Sequence, residues 1–199
     1  MLVLAFDTAT EVATSALVHD GEVVGERASR AVRILEDVDA LLAESALERE
    51  AIEGIVVGTG PGSYTGLRIG LVTARALAIA LDAPVAGVST LAALAAGAPG
   101  AHPLIDGRRS EVFALKEGSP AVVRAENLPV EPGGVYVGDG AVRYRDLLEA
   151  GGAGVPPDDD PVHTPWARHH AALAEGFGPP EAAEPIYLRL PDAERALSS

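Results

Sequence analysis

The chain has 199 residues, a formal net charge of −14 and an isoelectric point near 4.6. Its length and 48% hydrophobic content fit one large domain or two small lobes with a real core, and they exclude a wholly disordered chain. The absence of cysteine excludes disulfides, thiolate nucleophiles and cysteine-held metals, and the acidic balance is poorly suited to binding nucleic acid unaided.

Residues 2–6 read as a short buried strand ended by Asp7-Thr8, and residues 12–18 as a second. His19-Asp20-Gly21-Glu22 carries the Asp-Gly hairpin signal and leads to a third strand over 22–28. The period then changes. Ile34, Leu35, Val38, Leu41, Leu42 and Ala46 share one helical face, so a helix is expected over 31–46. A fourth strand covers Ile55–Gly58. A glycine-rich loop, Thr59-Gly-Pro-Gly-Ser-Tyr-Thr-Gly66, separates it from an Ala/Leu-rich helix over 67–81. A fifth strand is expected over 84–88 and a helix over 91–96, capped by Ser89 or Thr90.

Ala98-Pro99-Gly100 marks the expected lobe boundary, which gives lobes over 1–97 and 98–199. Beyond it, strands are expected over 104–106, 111–115, 121–124 and 135–138, with helices over 142–150 and 166–176. Asp158-Asp159-Asp160 reads as a solvated turn rather than a metal site, and the polar tail after Pro191 as disordered. Each half opens with a strand that ends in aspartate, Asp7 and Asp106, a hint of internal duplication. Met1–Phe6 has no basic segment and Asp7 interrupts its apolar run, so no leader peptide is expected. No run of 18 unbroken apolar residues occurs, so no membrane span is expected either, and the setting reads as cytoplasmic.

The glycine-rich loop is the strongest local signal, since backbone amides at the start of a helix can hold an anion. It fits neither nucleotide-binding pattern. Counting from Gly60 places Thr65 where a second or third glycine belongs, and no lysine follows; the single lysine of the chain is Lys116. Arg68 supplies positive charge without that geometry. The alternative is that the glycines serve a tight turn and close helix packing. Ser63 lacks the flanking glycines of a nucleophile elbow, having Pro61 and Thr65 instead, and the five histidines read as surface groups rather than metal ligands.

Thr59–Gly70, together with Phe6-Asp-Thr-Ala-Thr-Glu11, Gly87-Val-Ser-Thr-Leu91, Ile105-Asp-Gly-Arg-Arg-Ser-Glu-Val112 and Pro185-Ile-Tyr-Leu-Arg189, resembles the bacterial TsaB (YeaZ) family in block order. The resemblance implies an actin-like, two-lobed α/β fold of the sugar kinase, Hsp70 and ribonuclease H-like superfamily, a degenerate relative of the TsaD type. It implies a non-catalytic subunit that activates TsaD in making threonylcarbamoyladenosine at position 37 of tRNA. It further implies that a TsaE-type ATPase joins the pair, that ATP and metal belong to those partners, and that tRNA is met only through the complex. A homodimer is expected when the chain is alone. The His-x3-His metal motif of the catalytic relative is missing, and residues 27–35 lack the histidine that TsaB relatives commonly carry there.

Leu35, Val38, Leu42, Leu71, Arg75 and Ala78 are the expected partner contacts, with Val38→Asp expected to break pairing and leave the fold intact. Asp7, Thr8, Gly60, Gly62, Ser63, Thr65, Gly66, Arg68 and Asp106 are the expected residues of a vestigial cleft. The competing reading is a nucleotide-binding ATPase-type enzyme of the same fold, in which Asp7 and Asp106 hold a magnesium-bound water. A peptidase, an older label for such proteins, lacks a nucleophile and a triad.

Overall fold

The computed structural model describes residues 1–188, so the tail expected to be disordered after Pro191 lies outside the described residues. In the first lobe, β1 (Leu2–Asp7), β2 (Ala13–His19) and β3 (Glu22–Ser29) form an antiparallel meander. The Asp20-Gly21 turn has φ of 50° and 86°, the positive pair that a two-residue hairpin requires. β4 (Gly54–Gly58) and β5 (Val85–Val88) add in parallel beside β1, giving the order β3-β2-β1-β4-β5.

The second lobe repeats the plan. β6 (His102–Arg108), β7 (Glu111–Lys116) and β8 (Ser119–Arg124) form a meander, and the short β9 (Tyr136–Val137) lies parallel to β6. The order β8-β7-β6-β9 matches β3-β2-β1-β4, an internal repetition of the kind expected from Asp7 and Asp106, although β6 runs past Asp106 to Arg108 and only Asp7 ends its strand.

The expected helix over 31–46 is a 3-10 turn, Ala31–Arg33, followed by α1 (Ile34–Glu44). α2 (Tyr64–Leu81) begins three residues earlier than expected because Ser63 caps it, its hydroxyl accepting from the Gly66 amide. α3 (Thr90–Gly97) starts from Ser89 in the same way. The stretch expected as one helix over 142–150 divides into α4 (Asp139–Arg143) and α5 (Arg145–Ala150), and the last helix, α6, is shorter than expected at Ala167–Leu173. Of the acidic turn, Asp158 pairs with Arg145, and Asp160 caps a 3-10 turn through the Val162 amide.

Strand alternation divides the first-lobe core into two layers. Leu2, Leu4 and Phe6 of β1 pack with Ile55 and Val57 against Ile34, Val38, Leu41 and Leu42 of α1 and Leu71, Ala74 and Ala78 of α2. Ala5, Ala16, Val56 and Ala86 line the opposite face and meet Ala167 and Ala171 of α6. Small side chains on both surfaces let α6 approach closely. Burial of each large side chain contributes about 1.5–3 kcal/mol.

The expected division at residues 97 and 98 needs correction. α6 returns from the end of the second half to cover the first sheet, and the Gly178 backbone bridges β5 at Val85. Conversely, Leu91 and Leu94 of α3 pack with Ile105, Phe113 and Val137 of the second sheet. The chain therefore crosses between the lobes more than once. By length and composition α2 could cross a membrane, but Leu67, Leu71, Ala74 and Ala78 on its inner face are buried in the protein.

Candidate cleft between the lobes

A cavity of about 820 Å³ opens between the lobes. Its first-lobe wall comes from the β1–β2 loop, Ala9–Val12, and from Gly62–Thr65. Asp106, Arg108, Asp139 and Arg143 form the second-lobe wall, and Tyr187 lies along its edge.

The glycine loop is built for contact with the β1–β2 loop. A Cβ at Gly62 would lie 2.3 Å from the Ala9 carbonyl oxygen, and one at Gly66 would lie 2.0 Å from that of Thr8. Three of its amides are engaged within the protein. Ser63 N–H donates to the Ala9 carbonyl at 2.7 Å, Gly66 N–H to Ser63 Oγ at 3.3 Å and Gly60 N–H to Thr90 Oγ1 at 3.1 Å. Thr8 Oγ1 donates back to the Gly66 carbonyl at 2.7 Å. Of the two readings of this loop, close packing is the one these contacts describe.

Asp7 sits beneath that loop, not in the cavity. It is fully buried, and protein donors fill both its oxygens. The Ala9 amide donates to Oδ1 at 2.6 Å, while Thr90 Oγ1 at 2.6 Å and His170 Nε2 at 2.7 Å meet Oδ2. Burial pushes the Asp7 carboxyl up, but the His170 charge and these hydrogen bonds together outweigh it and hold the group below the ordinary carboxylate range.

The second-lobe acid is treated differently. Asp106 Oδ1 accepts from the Arg108 amide at 2.9 Å, and its Oδ2 faces Arg108 Nε at 3.6 Å and Arg143 Nη1 at 3.5 Å. Asp139 Oδ1 accepts from the Asp106 amide at 2.9 Å. Burial, and then the Asp106 charge, push the Asp139 carboxyl up against the hydrogen bonds from the Asp106 and Gly140 amides. Arg108 Nη2 reaches across the cleft to Glu11 Oε1 at 2.5 Å. It belongs to a hairpin in which Arg108, Arg109 and Ser110 all have positive φ, at 62°, 53° and 61°, a conformation that costs non-glycine residues roughly 1–2 kcal/mol each.

Neither aspartate fits the magnesium-bound water of the enzyme reading. The Asp7 oxygens are taken by three donors, and Asp106 faces two guanidinium groups. Of the expected cleft residues, Gly62, Ser63, Thr65 and Asp106 line the cavity, whereas Asp7 and Thr8 are buried below it and Gly60 and Gly66 serve packing. Arg68 is exposed on α2 and stacks over the Tyr64 ring, 4.1 Å from its centroid. The expectation that all five histidines lie on the surface is corrected at two of them. His163 is buried, with Nδ1 accepting from the Gly138 amide at 3.0 Å, and His170 is completely enclosed against Asp7. The expected cleft residues lack Thr90 and His170 around Asp7, and Glu11, Arg108, Asp139 and Arg143 on the cavity walls. The sequence offers Thr90 only as a helix cap, and no local spacing links residue 170 to residue 7.

The expected partner contacts also need correction. Val38, Leu42, Leu71 and Ala78 face the sheet and lie in the core, and Arg75 Nη2 donates to the Ala183 carbonyl at 3.0 Å. Leu35 alone of the six is exposed, at 53%. The outward residues of the same segments are Val32 (77%), Val72 (66%) and Ile79 (72%). Val38→Asp would therefore bury an unpaired charge and unfold the lobe.

Two lobes built on the same strand order around a central cleft define an α/β protein of the actin-like class. A family model described as "TsaD: tRNA N6-adenosine threonylcarbamoyltransferase" matches residues 8–140. An uncharacterized protein of Mycobacterium tuberculosis is 35% identical over 206 residues, covering 96% of this chain and 93% of its own length. The tRNA threonylcarbamoyladenosine biosynthesis protein TsaB of Bacillus subtilis is 37% identical over 124 residues, 57% of this chain and 53% of the relative. The structure of YeaZ from Pseudomonas aeruginosa superposes with a TM-score of 0.78 at 30% identity, covering 94% of this chain and 99% of that one. The chain belongs to the TsaB/YeaZ family.

Proposed function

We propose that this chain is a TsaB-type subunit in tRNA threonylcarbamoyladenosine biosynthesis, with no chemistry of its own, and that it pairs with a TsaD-like protein through the outward faces of α1 and α2. The observation that carries the reading is the apolar stripe on α2. Val72, Ala76, Ile79 and Ala80 recur at i, i+4, i+7 and i+8 and are exposed, with Val32 and Leu35 exposed on the neighbouring segment. A patch of this kind is normally covered in solution. In this reading two copies pair through the same face when the chain is alone, a TsaE-like ATPase joins the heterodimer, and ATP and metal sit on the partners. tRNA is met only through the complex, in the cytoplasm. The competing nucleotide-using enzyme is not favoured, because the Asp7 carboxylate is committed to protein donors.

Mixing the chain with the TsaD-like protein of its own genome, followed by light scattering after size exclusion, tests the proposal. The expected result is a heterodimer that Ile79→Asp weakens at least tenfold, about 1.4 kcal/mol, with an unchanged melting temperature. Undiminished pairing by Ile79→Asp would refute the surface. Absence of pairing by the wild-type protein would refute the function.

A further inference from the structure

We propose that His170 is a resident cation for Asp7: its imidazolium neutralises the first-lobe acid from within, making that acid an internal counter-charge rather than a ligand for a metal ion. The inference does not depend on the pairing face.

Four observations carry it. Asp7 and His170 are both completely buried, with Nε2 and Oδ2 2.7 Å apart. A carboxylate so enclosed must find an opposite charge or take up a proton. Both imidazole nitrogens face acceptors, Nε2 the carboxylate and Nδ1 the Trp166 carbonyl at 3.3 Å. A neutral ring has one N–H and can donate to only one of them, whereas the imidazolium donates to both. The rest of the Asp7 surface is closed. Ala9 N–H and Thr90 O–H occupy the oxygens, and the Gly58 backbone lies so near that a Cβ there would be 2.0 Å from Oδ2. The neighbouring basic groups of α6 are engaged elsewhere. Arg168 pairs with Glu26 and stacks over Trp166, and His169 packs against Gly97. His169 is itself held below its ordinary pKa by burial, then by the charges of Arg168 and His170.

The geometry gives this pair a second task. His170 stands 163 positions from Asp7 in sequence, and its helix reaches the sheet because Ala167 and Ala171 flank it with minimal bulk. The ion pair thus selects where α6 docks. An apolar residue at position 170 would leave the carboxylate without an opposite charge, its remaining partners being the Ala9 amide and the Thr90 hydroxyl.

The first test uses the wild-type protein. Long-range proton–nitrogen NMR at neutral pH should show both His170 ring nitrogens protonated, with signals that added Mn²⁺ does not broaden. A neutral tautomer, or broadening by Mn²⁺, would overturn the proposal. The second test is a thermal cycle of Asp7→Asn, His170→Gln and the double variant. Each single change should lower the melting temperature by roughly 6–20 °C, and the double change by clearly less than the sum. Additive losses would overturn it, and the NMR result stands even where a single variant fails to fold.

Discussion

The two lobes each carry an acid on the corresponding strand of a similarly ordered sheet, β1 and β6, and supply its counter-charge from different sources. Asp7 of β1 is sealed by a helix that arrives from the far end of the chain, and its partners are all interior groups. Asp106 of β6 stays at the cavity wall, facing Arg108 and Arg143 of its own lobe, both about half exposed. A shared strand order therefore does not fix the surroundings of the acid it carries. Asp7 is part of the core, and Asp106 lines a cavity that solvent reaches.

Removing each charge in turn should separate the two acids by the size of the loss. Asp7→Asn leaves a buried imidazolium without its anion and should cost about 3–5 kcal/mol in urea unfolding. Asp106→Asn, whose partners are exposed, should cost about 0.5–1.5 kcal/mol; equal losses would erase the distinction between the lobes. Thr90→Val removes one donor to Asp7 and strands the Gly60 amide, at an expected cost of about 1.5–3 kcal/mol by the same measurement.

Acid titration separates the lobes by sign. The Asp7 pKa is lowered by folding, so its contribution is present above the unfolded-state value and disappears as pH falls through the folded-state one. The Asp139 pKa is raised, so its contribution is complete below the unfolded-state value and is lost as pH rises through the folded-state one. Asp139→Asn should therefore flatten the upper limb of a stability–pH curve and leave the lower limb in place. An unchanged upper limb would show that another group controls it. The smallest expected effect belongs to the cross-cleft pair. Arg108→Ala should cost about 0.2–1 kcal/mol, with a correspondingly small shift in melting temperature, because Arg108 and Glu11 are exposed.

Local chemistry made much of the fold legible. Asp20-Gly21 announces its hairpin, Ser89 announces α3, and the unbroken apolar run of residues 2–6 announces a buried strand, whereas Ser63 gives no such notice of α2. The glycine block was legible as a feature and ambiguous in purpose. Only the positions of the Thr8 and Ala9 carbonyls explain why side chains are excluded at Gly62 and Gly66. The inward face of α2 was not legible because the helix is apolar on nearly every side, so periodicity could not choose between the Leu71 and the Val72 stripes. His170 was hidden for a different reason: nothing near it in sequence carries the charge it answers.

The return of α6 also sets the order in which this protein can be made. The first five strands leave the ribosome well before residues 167–173, yet the sheet face bearing Ala5, Ala16 and Val56, and the carboxylate of Asp7, wait for that late helix. Until it arrives the nascent first lobe has one covered side and one bare side. Completion is therefore a long-range closing event, slow by the measure of chain separation, and a fragment that stops before the last helix would expose the very surface on which unfinished sheets aggregate.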